Sequence, residues 1–145
     1  MFPPTDRAAL RALFVDAWRK RRESLPAEAL ELQVADVIEE HPEHQALLAD
    51  PERALGAEWT PEGGTANPFL HLALHLALRD QVATDRPPGI RGLHRRLAAR
   101  TGGHDAEHRM MECLAEALWV AQRNNSSPDE VSYMAALERL AQEQQ

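Results

Sequence analysis

The sequence predicts an all-α fold, a compact helical bundle of about five to six helices. Apolar residues recur at i, i+3, i+4 and i+7 in several segments. Helix-start and helix-stop residues separate those segments. No stretch shows the period-two alternation of a half-buried strand. The 145 residues, 43% of them hydrophobic, fit one domain over 1–145 with a single core.

The first helix is expected from Thr5 or Asp6 to about Glu23. Leu10, Leu13, Phe14, Ala17 and Trp18 form one apolar stripe. Arg19, Lys20, Arg21 and Arg22 suit the negative end of its dipole. Pro26 fits the first turn of a second helix, 27–41. Leu30, Val34, Val37 and His41 fall on one face of that helix, and Pro42 stops it. A short helical turn is expected through Leu47 and Leu48. GAEWTPEGGTAN, 56–67, reads as a loop. Asn67 and Pro68 then make an N-cap and first residue for a third long helix, 68–83. RPPGI breaks it. A segment from Ile90 to Arg100 should bury only Ile90, Leu93 and Leu97. A further helix is expected over 105–123. Ser127 through Glu130 match a capping box opening the last one, 128–142.

Composition excludes several classes. The net charge of −7 argues against nucleic acid or an anionic membrane as partner. No apolar run approaches the roughly 20 residues that span a bilayer. One cysteine, Cys113, permits no internal disulfide and points to the cytoplasm. The start, MFPPTDRAAL, has no basic segment followed by an apolar one, so no secretory signal is expected there. Phosphate-loop, serine-hydrolase, zincin and CxxC motifs are absent from the sequence. No catalytic residue is assigned, and whether the chain is an enzyme stays open.

Histidines carry the chemistry. In NPFLHLALHLALRDQ, His71 and His75 lie one turn apart on a helix that is apolar nearly all round. Burying two imidazoles without partners is costly, so something must satisfy them. His108 and Glu112 form a second i, i+4 pair, continued by Ala115 and Trp119. His41 ends the stripe of the second helix. Two helices that each present such a pair to a bundle interior can surround a cation. The expected metal set is therefore His71, His75, His108 and Glu112, with His41 as a fifth member. Imidazoles with one carboxylate suit a divalent transition metal, Zn, Fe, Mn or Ni, better than Ca or Mg. His44, after the helix stop, is expected on a surface loop, and Cys113 as a small core residue.

WRKRR, the HPE turn, TPEGGTANPFLHLALH, PPGIR and HRMMECLAEALW occur in this order over about residues 2–140. Together they resemble a bacterial family known as the domain of unknown function 1841. The resemblance implies a small bacterial cytosolic protein and brings no activity. The family pattern it implies has a histidine near position 45 and a carboxylate near position 79. This chain has Gln45, beside His44, and Arg79, followed by Asp80.

Two principal readings stand side by side. In one, the chain is a metal-binding helical bundle with hydrolytic or redox chemistry at the bound ion. In the other, it is a non-enzymatic regulatory or interaction domain. Its histidines then form a structural polar network, and Arg91, Arg95, Arg96, Arg100 and the first helix end face an acidic protein partner. A haem or di-iron protein is a third reading, for which the sequence supplies few inward carboxylates.

Overall fold

The computed structural model describes residues 7–57 and 67–143. The expected helix start at Thr5 or Asp6, and most of the expected 56–67 loop, lie outside them. Every regular element among the described residues is a helix: α1 (Arg7–Arg22), α2 (Ala29–Glu39), α3 (Pro42–Leu48), α4 (Pro51–Gly56), α5 (Pro68–Thr84), α6 (Ile90–Thr101), α7 (Gly103–Arg123) and α8 (Glu130–Gln142). These are eight helices, not five to six. Pro42 and Pro51 each restart the chain as a short helix, because proline suits the first helical position and disfavours α geometry in the residue before it. The described residues divide into two compact units, Met1–Leu76 and Ala77–Gln145, with the boundary inside α5.

In the first unit α1 packs on α2, α3 and α4. Its core holds Phe14, Val15, Ala17 and Trp18 of α1, Val34, Val37 and Ile38 of α2, Leu47 and Leu48 of α3, Ala54 of α4, and Phe69, Leu72 and Leu76 of α5. Each large apolar side chain buried here contributes about 1.5–3 kcal/mol relative to exposure. The α2 helix opens at Ala29, three residues beyond Pro26. A reciprocal capping box sets that start, with the Glu28 backbone N–H donating to Glu31 Oε1 at 2.9 Å. Glu31 also receives Lys20 Nζ at 2.7 Å, and Arg21 reaches Asp36 at 2.9 Å, so part of the basic end of α1 is spent on the acids of α2. Arg11 is buried at 4% exposure. Its Nη1 donates to the carbonyls of Ala54 at 3.2 Å and Ala57 at 2.6 Å, which satisfies the C-terminal end of α4. Its guanidinium lies 5.0 Å from the Phe69 ring centroid.

In the second unit α6, α7 and α8 pack against one another. The α6 helix buries Ile90, Leu93 and Leu97, as the sequence predicts; Met110 and Leu114 of α7 and Leu137 of α8 are buried in the same unit. Asp85 Oδ1 accepts from the N–H groups of Gly89 and Arg91, and Gly89 takes φ of 99° at the turn into α6. The cap of α8 is Asp129, not Ser127: its carboxylate accepts from the backbone N–H of Val131 at 3.0 Å and of Ser132 at 3.3 Å. Tyr133 Oη donates to Gln81 Oε1 at 2.7 Å, tying α8 to the C-terminal half of α5.

Candidate metal centre

Asn67 places the first histidines. Its side chain accepts from the Phe69 N–H at 2.9 Å, and Pro68 follows as the first helical residue. From that start α5 presents His71 and His75 on successive turns. His75 is fully buried and His71 half-buried, with their Nε2 atoms 3.2 Å apart. Two nitrogens about 2.1 Å from one tetrahedral ion are separated by about 3.4 Å, so this spacing is already that of a ligand pair.

His41 arrives from outside any helix, because α2 ends at Glu39 and Pro42 begins α3. Pro42 disfavours helical geometry in the residue before it, and His41 takes φ of −127° and ψ of 71°. The ring is 3% exposed, 4.3 Å from that of His75 and 5.2 Å from that of His71 between centroids. Its Nδ1–H donates to the Val37 carbonyl at 2.7 Å. A carbonyl can only accept, so Nδ1 carries a proton, and in the neutral ring Nε2 is then the nitrogen with the lone pair that binds metal. One ring nitrogen from each of His41, His71 and His75 lies within 4.8 Å of the other two. The three could hold a metal ion.

His44 corrects the sequence reading. It stands on α3, not a loop, and is half-buried. Its ring lies 5.8 Å from that of His71 and 6.2 Å from that of His41, nearly parallel to the latter at 17°. Burial holds its imidazole below the usual histidine value; nearby His41 adds to that and Glu43 opposes it. The proline that stops α2 also starts α3, and a helix from Pro42 puts His44 one turn beyond His41. That was the available signal.

The residues expected from α7 belong to the second unit. His108 is half-buried, and its Nδ1–H donates to the His104 carbonyl at 3.1 Å. In the neutral ring Nε2 is then the nitrogen open to a metal, as in His41. Glu112 is exposed. The buried face of α7 is Ala106, Glu107, Met110, Met111, Leu114 and Ala121. At 100° per residue Glu112 points roughly 170° from the centre of that face, and Trp119, 52% exposed, shares its side. The buried acid of α7 is Glu107, which takes Arg79 Nε at 2.6 Å and Nη2 at 3.1 Å. The sequence reading passed over this pair, although Arg79 closes the His71, His75 series at the same spacing. Burial pushes the Cys113 thiol up, with Glu112 adding to it, which disfavours the thiolate and fits a packing role.

Comparison with known families adds one decisive result. The pattern described as Domain of unknown function (DUF1841) matches residues 6–139, nearly the whole chain. The chain belongs to the DUF1841 family. No curated protein and no solved structure matches it. Among the described residues of this DUF1841 protein, no helix is long and apolar enough to cross a membrane.

Proposed function

We propose that this DUF1841 protein binds one divalent transition metal ion through His41, His71 and His75. The observation that carries the proposal is the grouping of three imidazole nitrogens within 4.8 Å, two of the rings buried. Three neutral imidazoles match Zn, Fe, Mn or Ni and are poor ligands for Ca or Mg. His108 is proposed as a further ligand; its Nδ1–H bond to the His104 carbonyl makes Nε2 the nitrogen that can bind metal when the ring is neutral. A site with three or four protein ligands can keep or add a water, and hydrolytic or redox chemistry at such a water is the activity proposed. The single cysteine suits a reducing compartment, here taken as bacterial cytoplasm.

The test uses protein purified without a nickel column. Wild type should retain close to one equivalent of metal by elemental analysis, and His75→Ala should not. Metal at a hundredfold excess over Kd should stabilise the wild type by about 2.7 kcal/mol. His108→Ala should weaken binding; unchanged affinity removes His108 from the set. Metal-free wild type whose melting temperature ignores both chelator and added metal would leave the second reading, a structural histidine network in an interaction domain. One observation favours a partner surface there: α6 turns Arg91, Arg95, Arg96 and Arg100 outward. Arg91 and Arg100 already donate to backbone carbonyls, Arg91 to Val82 and Ala83 and Arg100 to Ala141 and Glu143.

A further inference from the structure

The four histidines of the first unit are graded by depth. His75 is fully buried and His41 is 3% exposed, whereas His71 and His44 are half-buried. His75 is linked to His71 by the 3.2 Å contact between ring nitrogens, and His71 in turn faces His44 at 5.8 Å between centroids. The series runs inward from His44 through His71 to His75. His44 stands outside the close set, since only His41 and His71 of its ring neighbours share the tight nitrogen grouping with His75.

From this order we infer that His44 is the uptake ligand of the centre: the residue that first takes a hydrated metal ion and hands it to the buried histidines. The inference rests on the proposed metal centre. A metal aquo ion cannot reach His75 without shedding water, and stripping several waters in one step is slow and costly. A half-exposed imidazole breaks the process into single exchanges. His44 displaces one water while the rest of the shell stays. The metal–nitrogen bond to His71 forms as a second water leaves. His41 then displaces a third water, and the bond to His75 forms as that to His44 breaks. Each step exchanges one neutral ligand for another, so the charge on the centre stays constant throughout. The side chain has the required reach, because α3 begins immediately after His41 and carries His44 three residues on, with its ring stacked at 17° to that of His41.

A residue that acts only on the path changes both rates and leaves the equilibrium alone. Apoprotein is mixed with Co(II) and with Zn(II), each alone, in a stopped-flow instrument. Affinity is measured separately by competition with a chromophoric chelator. Wild type, His44→Ala, His44→Gln and His71→Ala are compared after circular dichroism has shown each to be helical. Both His44 variants should bind one equivalent with wild-type affinity, yet take up and release metal more slowly by one common factor. His71→Ala should lose affinity. Wild-type uptake rates in both His44 variants, with affinity intact, would overturn the uptake role and leave the centre standing. Lost affinity in them would make His44 an ordinary ligand and also overturn it. Wild type that binds neither ion would remove the centre itself, and the uptake role with it.

Discussion

The Val37 carbonyl does more for the histidine cluster than its place in the backbone suggests. By accepting the Nδ1 proton of His41 it selects one tautomer of a buried ring. His75, fully enclosed, is the ring whose loss costs most. We expect His75→Ala to destabilise the metal-free protein by roughly 2–4 kcal/mol, the range for emptying a core site of this size. In urea melts the gap to wild type should widen when metal is added, since only wild type gains from it. A second expectation concerns the pair of Arg79 and Glu107, whose side chains are 31% and 9% exposed. The asymmetry decides which change hurts. Arg79→Ala strips two charge-assisted bonds from a carboxylate held away from water, at about 3 kcal/mol. Glu107→Ala leaves a guanidinium that water already reaches, at about 1 kcal/mol. Equal costs in denaturant melts would show that burial of the acid is not what matters.

At the scale of elements, the α8 cap gives a pH test. The Ser132 hydroxyl and backbone N–H, with the Val131 N–H, hold the Asp129 carboxyl below its ordinary value. A depressed folded pKa means the stabilisation is present above the unfolded value, 3.8, and is lost as pH falls through the folded one. Asp129→Asn keeps a capping oxygen that does not titrate there. The advantage of wild type over Asp129→Asn should therefore be constant near neutrality and shrink in acid; an advantage that grew in acid would refute the cap as its source. At Gly89 an added Cβ would meet Met134 Cε at an ordinary 3.6 Å, so the cost of Gly89→Ala lies in its φ of 99°. We expect a loss of about 1 kcal/mol, read as a lower denaturation midpoint with unchanged slope.

The long helices were legible in the sequence because their apolar stripes and prolines act locally. Asn67-Pro68 announced α5 correctly. Asp50-Pro51 carries the same signature and opens α4, yet a six-residue helix has too little periodicity to stand out. His71, His75 and His41 were legible for the same local reason, burial pressure on an apolar face. On α7 the same logic misplaced Glu112, which is exposed. The helix carries two apolar stripes, and Glu112, Ala115 and Trp119 looked as continuous as Ala106, Met110, Leu114 and Ala121. Only packing against α6 and α8 decides between them, and packing is not written in one helix's spacing.

For the whole molecule, one domain over 1–145 remains our proposal, and calorimetry tests it. A single transition, with calorimetric and van't Hoff enthalpies equal, is expected; two resolved transitions would mean that the units unfold separately. Their boundary falls between Leu76 and Ala77, in the middle of the 17-residue α5. Modules that evolution trades between genes usually meet at exposed linkers, where a break harms neither side. Here a recombination joint at the boundary would cut a helix in half. The upstream piece would keep His71 and His75 on a stub of little more than two turns, too short to hold its shape alone. The downstream piece would begin with the severed end that carries Arg79 and Gln81. Neither half is a tradable part, so the two are expected to be inherited as one.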